Sequence, residues 1–409
     1  MKILIIANLF PPDMGGGATR AYNVAKGLVL YGNEVTIITS FPHYPTGEIP
    51  KKYQNSFYQN EKIGSMRIIR TFILPLSSKG VGKRFLLFCS FLFSSIAIFP
   101  IVSHYDIVWA ANPNLLSYFP AKFYGMLKRK PVVQNIDDLW PEDLYNFQLL
   151  PKNSLIIKTI FYLASFIYNN SAAVTPVSPG YSEVLKNKYH LPQRKITEVM
   201  AGVDLDLFSS ISQQFKTKSD IFRILYSGSF SVAYDFRQIL LAARILKNDN
   251  IEFILQGAGE CLDEIKKEID EKKILNVKII EKILRRDEVV KLYIYSDALI
   301  LPLRKFNYYY YGLSSKLFEY QAAGKPIICC SNGFPGQFIK KTKSGIVIDS
   351  GQYNDLAKSI IQLKTNPALS QKLGMNGRNY VENNVSVQKI GFLMKTLFEK
   401  ILVKKEKNR

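Results

Sequence analysis

Short apolar segments alternate with longer amphipathic segments along most of the chain. In the N-terminal half the apolar segments are KILIIAN, EVTIIT, MRIIRT, DIVWAA, PVVQN and AAVTP. Apolar runs of this length predict strands that are buried on both faces, as in a parallel sheet, with helices between them. The pattern weakens in the polar stretch SSISQQFKTKSD and resumes with FRILYSG, IEFILQG, VKIIEK, ALILPL and PIICC.

This alternation predicts an α/β protein with two tandem Rossmann-like, doubly wound domains, each binding ligands at the carboxyl ends of its strands. A chain of 409 residues suits two domains of this kind. We expect an N-terminal domain at 1–208, a linker at 209–220 and a C-terminal domain at 221–385. The last segment, 386–409, is predicted to be a long amphipathic helix that packs back on the N-terminal domain.

Composition narrows the classes of partner. The net charge of +21 suits nucleic acid, an anionic membrane surface or phosphorylated substrates. Because no zinc finger, RNP-like motif or basic dimerisation helix is present, we expect no nucleic-acid partner. The four cysteines lack metal-binding spacing and the N-terminus does not resemble a signal peptide, which favours a cytoplasmic protein.

The longest apolar run, FLLFCSFLFSSIAIFPIV at 85–102, follows Lys83 and Arg84. Its 18 residues are near the lower limit for a membrane span. A span would put the predicted strands before and after it on opposite sides of the bilayer, although they belong to one sheet. Two alternatives stay open: a helix that packs on the sheet and dips one face into the membrane, or a wholly buried helix.

Glycines follow three of the predicted strands. The segment ANLFPPDMGGGATR leads from the first strand into a helix, and Gly228 and Gly257 end two strands of the second half. Glycines allow close backbone approach to a ligand, and helix N-termini favour phosphates. The spacing is not that of a dinucleotide oxidoreductase. Arg304 follows a further strand and suits a diphosphate, although solvated charges and plain flexible loops are the alternatives.

The segment YYYYGLSSKLFEYQAAGKP, at 308–326, predicts a short helix that begins at Ser314 or Ser315 and ends before Gly324. Glu319 lies one turn into this helix. A carboxylate there could accept hydrogen bonds from two ribose hydroxyls, while Lys316 at the helix start suits phosphates. A solvated face is the alternative.

These segments, together with YGNEVTIIT, FPHYPTG, DDLWPEDL, VSPGYSE, AGVDLDLF and QGAGE, resemble glycosyltransferase family 4 of the GT-B fold over nearly the whole chain. DLWPE with SKLFEYQAAGKP is similar to the branch that makes surface polysaccharides and O-antigens. The resemblance implies a transferase that uses a nucleotide sugar, with UDP more common than GDP, and retains anomeric configuration. It also implies that the enzyme needs neither a metal nor a cofactor.

The resemblance also implies roles for individual residues. The catalytic set would be Asp138, Lys316 and Glu319. The donor would contact Gly228, Gly257, Lys282, Ile283, Arg304, Ser314 and Ser315, together with Lys316 and Glu319. The loops at the acceptor side would contribute Gly16, Gly17, Arg20 and His43.

The sequence departs from the family pattern at Tyr311, where many members carry a glutamate eight residues before the position of Glu319. We therefore hold three hypotheses. The first is a retaining, metal-independent glycosyltransferase that acts on a membrane-borne, lipid-linked glycan acceptor at the cytoplasmic face of the membrane. The second is a UDP-sugar 2-epimerase of the same fold, and the third is a catalytically degenerate, membrane-associated binding protein.

Overall fold

The computed structural model describes residues 1–44, 46–76, 81–111, 115–212, 220–282 and 284–407. The chain divides into two compact units, which are described separately. Unit 1 comprises Met1–Tyr145, Leu150–Gly202 and Val387–Arg409. Unit 2 comprises Asn146–Leu149 and Val203–Ser386.

Every apolar run that was predicted to be a strand forms one. In chain order the strands are β1 (Lys2–Ile6), β2 (Glu34–Ser40), β3 (Tyr58–Ile63), β4 (Met66–Thr71), β5 (Ile107–Ala110), β6 (Val132–Ile136), β7 (Ala173–Pro176), β8 (Phe222–Ser227), β9 (Ile251–Gln256), β10 (Val277–Ile280), β11 (Ala298–Pro302), β12 (Ile327–Cys330) and β13 (Gly345–Ile348).

The helices, also in chain order, are α1 (Gly16–Leu30), α2 (Val81–Ala97), α3 (Tyr118–Leu127), α4 (Glu142–Asn146), α5 (Leu155–Asn170), α6 (Pro179–Asn187), α7 (Leu205–Ser212), α8 (Phe236–Ile245), α9 (Leu262–Glu271), α10 (Arg286–Tyr295), α11 (Ser315–Ala322), α12 (Phe334–Thr342), α13 (Tyr353–Thr365), α14 (Pro367–Asn384) and α15 (Val387–Lys407). Short 3₁₀ turns lie at Lys51–Tyr53, Phe99–Ile101, Leu115–Ser117 and Gln193–Lys195.

Each unit is built around one sheet. In unit 1 the strand order is β3-β4-β2-β1-β5-β6-β7. All pairs there are parallel except β3 with β4. In unit 2 the order is β10-β9-β8-β11-β12-β13, and every pair is parallel. Chain order reverses at β1/β5 in unit 1 and at β8/β11 in unit 2. Both units are therefore doubly wound, as predicted, and each has a switch point where such sheets bind ligands.

Two strands were not predicted, and both lie at sheet edges. The residues of β3, YQNEKI, alternate between exposed and partly buried, and those of β13 are all partly buried. Edge strands bury less surface than central ones, so their sequences carry a weaker apolar signal.

The boundary between the units differs from the predicted one. It falls after Gly202, and the predicted boundary at residue 208 lies inside α7. The reason is an apolar face on α7: Phe208 and Ile211 are buried, and the Phe208 ring stacks on Tyr293 of unit 2. Residues 213–219 of the predicted linker lie outside the described residues.

The last helix, α15, packs against α1 in unit 1. A Cβ atom on Gly27 would lie 2.8 Å from the Cα atom of Gly391 and 2.5 Å from the carbonyl oxygen of Val387. Only glycines allow this helix crossing. Ile390, Met394 and Phe398 of α15 are fully buried in the same core as the sheet.

We expect Gly27→Ala to destabilise unit 1 by about 2 kcal/mol, because the added methyl group overpacks the α1–α15 crossing. Gly82→Ala is the matched control, since a Cβ atom there has no neighbour within 4 Å. Denaturant unfolding followed by tryptophan fluorescence isolates unit 1, because both tryptophans of the chain, Trp109 and Trp140, lie in it. Equal midpoints for the two variants would contradict the prediction.

The apolar run at 85–102 forms most of α2 and the turn that follows it. Leu87, Phe91 and Ile98 are buried against unit 1, whereas Phe85 is 57% exposed and Phe93 is 68% exposed. The helix is therefore not wholly buried. Among the described residues, no helix is long and apolar enough to cross a membrane.

Candidate active site

The carboxyl ends of β8 and β11, which are neighbours at the switch point of unit 2, bring several predicted site residues to one edge of the sheet. Gly228 directly follows β8, Gly257 directly follows β9, and Arg304 lies two residues beyond β11. The helix α11, with Lys316 and Glu319, comes next in the chain after β11. Ligands of doubly wound sheets bind at such an edge.

Two glycines of this edge serve different local purposes. Gly228 and Gly257 have φ angles of 144° and 143°, which disfavour other residues. A Cβ atom on Gly257 would lie 1.8 Å from the carbonyl oxygen of Gly228, so Gly257 is required by the packing of two loops. A Cβ atom on Gly228 would lie 2.4 Å from Nζ of Lys316, so Gly228 leaves space for the ammonium group.

Lys316 is held among aromatic side chains at the start of α11. Its Nζ atom donates a hydrogen bond to the hydroxyl of Tyr226 at 3.0 Å and lies 4.2 Å from the ring centre of Tyr234. The negative faces of the rings favour the charged ammonium. An ammonium group carries three N–H donors, and the bond to Tyr226 uses one of them.

The start of α11 also supplies backbone donors. Ser314 is the N-cap, as expected from its residue type, but its side chain makes no capping hydrogen bond. The first N–H groups of any helix lack partners within the helix, and the helix dipole favours anions there. Ser314, Ser315 and Lys316 thus form a positive end that is suited to a phosphate.

Glu319 is buried, not a solvated side chain. Its Oε1 atom accepts a hydrogen bond from Nη1 of Arg286 at 2.9 Å, and its Oε2 atom accepts one from the hydroxyl of Tyr293 at 3.0 Å. The two bonds fix the rotamer of the carboxylate. A carboxylate has about four acceptor positions, so this pairing is compatible with further donors such as ribose hydroxyls.

The other predicted donor residues lie around this group. Arg304 is half-buried, and its Nη1 atom donates to the carbonyl oxygen of Val232 at 3.1 Å. The Lys282 side chain is exposed, while its carbonyl oxygen accepts from Nε2 of Gln256 at 3.1 Å. Ile283 lies outside the described residues.

The tyrosine run before α11 packs within unit 2. The Tyr310 ring contacts Phe306 and Phe147, with ring centres 5.0 Å and 5.6 Å away. Tyr311, which replaces the glutamate of the family pattern, contacts Tyr309 at 4.7 Å between ring centres.

In unit 1, Asp138 lies two residues beyond β6 on a loop that is held by hydrogen bonds to the Asp143 side chain. Oδ2 of Asp143 accepts hydrogen bonds from the N–H of Leu139 at 2.7 Å and from the hydroxyl of Tyr181 at 2.6 Å. Asp143 is buried, and desolvation, with the nearby charge of Glu142, raises its pKa to about 7. This carboxyl joins the segments DDLWPED and VSPGYSE.

Asp138 itself is exposed to solvent. Desolvation, together with the carboxyl groups of Asp143 and Asp137, raises the pKa of Asp138 well above its usual range.

Arg20, predicted to lie at the acceptor side, is a buried residue of unit 1. Its Nη2 atom donates to Oδ1 of Asn135 at 2.7 Å and to the carbonyl oxygen of Thr175 at 3.1 Å, and its Nε atom lies 2.9 Å from Asp137. Burial lowers the pKa of Arg20 to about 10, and the Asp137 charge opposes this shift. In this position Arg20 links β6 and β7 through their carboxyl-terminal residues.

The glycine loop is also anchored through a residue that was not predicted. The helix α1 begins at Gly16, so Gly16 and Gly17 are its first residues. Oδ1 of the buried Asp13 accepts hydrogen bonds from the N–H groups of His43 and Tyr44, each at 2.8 Å. His43 is itself buried, which makes it part of this anchor.

The sequence reasoning missed several residues that hold the predicted ones. Arg286, Tyr293 and Tyr226 fix the side chains of Glu319 and Lys316, and Asp143 fixes the loop of Asp138. Arg286, Tyr293 and Tyr226 lie 26 to 90 positions from the residues that they hold, and Asp143 belongs to the same acidic segment as Asp138. Periodicity cannot predict contacts between positions so far apart in the chain. The cluster of acidic residues in DDLWPED was, however, a signal that one of these carboxyl groups is buried.

Two family models match consecutive parts of the chain. Residues 14–207 match the model described as Glycosyltransferase Family 4, and residues 208–380 match the model described as Glycosyl transferases group 1. An uncharacterised glycosyltransferase of Methanocaldococcus jannaschii is 23% identical over 357 residues, which cover 85% of this chain and 84% of the relative.

Solved structures give the same result for the fold. Sucrose-phosphate synthase from Thermosynechococcus elongatus superimposes with a TM-score of 0.78 at 17% identity, covering 99% of this chain and all of the other. Anabaena HepE in complex with UDP and glucose gives a TM-score of 0.69 at 14% identity, covering 98% of this chain and 100% of the other.

The fold and these matches define the chain as a glycosyltransferase of the GT-B fold. The predictions of fold class and enzyme class are therefore confirmed. Within that class, the consecutive matches over both halves support glycosyltransferase family 4.

Proposed function

We propose that the chain transfers a sugar from a UDP-sugar to a lipid-linked glycan acceptor, with retention of anomeric configuration and without a metal or cofactor. The observation that carries the proposal is the pair of Lys316 and Glu319 in the first two turns of α11, beside the switch point of unit 2. One helix start thus presents a cation and backbone N–H groups, and one turn later a fixed carboxylate.

The donor would lie across this helix start. The Lys316 ammonium and the N–H groups at Ser315 and Lys316 suit the diphosphate, and the Glu319 carboxylate suits the ribose hydroxyls. Arg304, on the neighbouring loop, adds a second cation. Anabaena HepE has been seen with UDP and glucose, which supports UDP as the nucleotide.

Catalysis would rest on positioning and charge stabilisation. The leaving diphosphate gains negative charge in the transition state, and the helix start with Lys316 is a preorganised site for that charge. The acceptor hydroxyl would attack on the face from which the diphosphate departs. Asp138 would stand near the reacting sugar, and no residue is assigned as a covalent nucleophile.

The acceptor side of the proposal rests on sequence resemblance and on α2. The segments DLWPE and SKLFEYQAAGKP favour surface-polysaccharide or O-antigen synthesis. The exposed Phe85 and Phe93 of α2, with Lys83 before them, suit peripheral contact with the cytoplasmic face of the membrane, where a polyprenyl-linked acceptor would lie.

Binding calorimetry with UDP, GDP, ADP and NAD tests the donor assignment, and incubation of UDP-sugars with membrane extracts tests transfer. Selective UDP binding and acceptor-dependent product support the proposal. An epimerised UDP-sugar formed without acceptor favours the 2-epimerase, and UDP binding without any turnover favours the degenerate binding protein. Failure to bind any nucleotide would refute the donor site.

Lys316→Met is expected to weaken UDP binding by about tenfold to a hundredfold, because it removes a charge-assisted contact to the diphosphate. Uridine, which lacks the diphosphate, should bind the variant and the wild type equally. Comparing the two ligands separates the loss of a phosphate contact from damage to the fold. Equal losses for both ligands would contradict a diphosphate role for Lys316.

A further inference from the structure

Helix α5 of unit 1 exposes large apolar side chains to solvent. Leu155 is 78% exposed, Tyr162 is 72% exposed and Phe166 is 55% exposed. They occupy positions i, i+7 and i+11, so they share one face of the helix. Ile156, at its margin, is also exposed. We call this set the α5 outer face.

This face is unusual for a surface helix, which normally places polar residues toward water. The opposite side of α5 is already satisfied by the core, because Ile157, Ala164, Ile167 and Tyr168 are buried. The helix is thus apolar on both sides although only one side packs on the unit. Several large apolar side chains exposed on one helix face indicate an interaction surface.

The charged residues on α5 and in the segment before it have one sign. Residues 151–170 contain Lys152 and Lys158 and no acidic residue. At the other end of the helix, Nζ of Lys195 donates to the carbonyl oxygen of Asn169 at 2.6 Å. Desolvation and the positive charges of Arg194 and Lys404 lower the pKa of Lys195, which shows that these cations lie close together.

We propose that the α5 outer face is a docking surface for anionic lipid bilayers. Apolar side chains would enter the boundary between headgroups and acyl chains, and the flanking lysines and Arg194 would contact lipid phosphates. A two-fold contact between two copies of this face would bury lysines of both copies and no acidic residue of α5, so the charge pattern favours lipid over self-association. The proposal extends the membrane contact proposed above to a second helix.

The test is co-sedimentation with vesicles of phosphatidylcholine alone or with about a third phosphatidylglycerol, a composition that supplies the anionic surface. The variant Leu155→Ser/Tyr162→Ser/Phe166→Ser is expected to bind anionic vesicles at least about tenfold more weakly than the wild type, since each side chain loses its transfer from water. The matched control is Ile245→Ser/Leu275→Ser/Met375→Ser, which removes three exposed apolar side chains from unit 2.

A second variant reports on insertion directly. Tyr162→Trp places a fluorophore on the α5 outer face, and its emission should shift to shorter wavelength with anionic vesicles and be quenched by brominated acyl chains. Lys152→Gln/Lys158→Gln should reduce the preference for anionic over neutral vesicles and leave weak binding to neutral ones unchanged.

Binding of the triple variant at the wild-type level, or absence of a shift for Tyr162→Trp, would overturn the proposal. The proposal would also be overturned if the wild type forms a dimer and the triple variant loses the dimer but still binds vesicles. UDP calorimetry on the same proteins keeps the two proposals apart, since the α5 variants should retain UDP affinity. Loss of vesicle binding alone therefore bears on α5, and absence of UDP binding in the wild type bears on the donor site.

Discussion

Glu319→Ala should weaken UDP binding by about thirtyfold to a thousandfold, equivalent to about 2–4 kcal/mol. The carboxylate is fixed by Arg286 and Tyr293 before any ligand arrives, so little entropy is lost when ribose hydroxyls bind to it. Calorimetry with UDP and with uridine measures the effect. Both ligands carry the ribose, and both should lose affinity, in contrast to the result expected for Lys316→Met.

Two controls separate ligand contact from structural damage. Glu382→Ala removes another arginine-paired glutamate of unit 2, but one that is exposed on α14, and it should leave UDP affinity unchanged. Glu319→Gln keeps an acceptor for Tyr293 and loses the charge, so its affinity should lie between those of the wild type and the alanine variant. Unchanged UDP and uridine affinity in Glu319→Ala would remove this residue from the donor site.

The second large effect concerns pH and Asp143. Because the folded-state pKa of this carboxyl is raised from 3.8 to about 7, the folded state binds more protons than the unfolded state between these values. The contribution of Asp143 to stability is then present at low pH and is lost as the pH rises through this window. Asp143→Asn keeps the shape of the side chain and removes the titration. Relative to the wild type, it should gain about 2–3 kcal/mol in unfolding free energy between pH 5 and pH 8.

Tryptophan fluorescence during denaturant unfolding measures this difference in unit 1, which contains both tryptophans and Asp143. Tyr181→Phe is a control with the opposite expected effect on the pH dependence of stability. It removes a hydrogen bond that favours the charged carboxylate and so raises the pKa of Asp143 further, and the variant should lose more stability than the wild type between pH 5 and pH 8. Parallel pH profiles for wild type and Asp143→Asn would contradict a raised pKa.

The fold was more accessible from sequence than the site. Central strands such as β1, β5 and β8 consist mainly of consecutive apolar residues and are buried over nearly their whole length, so the sequence predicts them directly. The edge strand β3 alternates exposed and partly buried residues, most of them polar, and was not predicted. Glycine and capping signals likewise gave the start of α11 within one residue, because they depend on local backbone preferences.

The site was only partly predictable because its precision comes from tertiary contacts. Glu319 and Lys316 could be named from their helix and its resemblance, but their orientation depends on Arg286, Tyr293 and Tyr226. Arg20 shows the same dependence: the resemblance named it for the acceptor side, and its surroundings, with Asn135 and Asp137 beside the guanidinium, could not be read from the sequence.

The crossing of α1 and α15 has a consequence for biosynthesis. As the chain leaves the ribosome, the sheet of unit 1 is completed early, but the groove along α1 stays open until Ile390, Met394 and Phe398 emerge. The continuous segment Val203–Ser386 can finish its own core first. In nascent chains that stop before α15, we therefore expect unit 2 to be folded and unit 1 to be incompletely folded. Unit 1 would then still be accessible to chaperones and proteases.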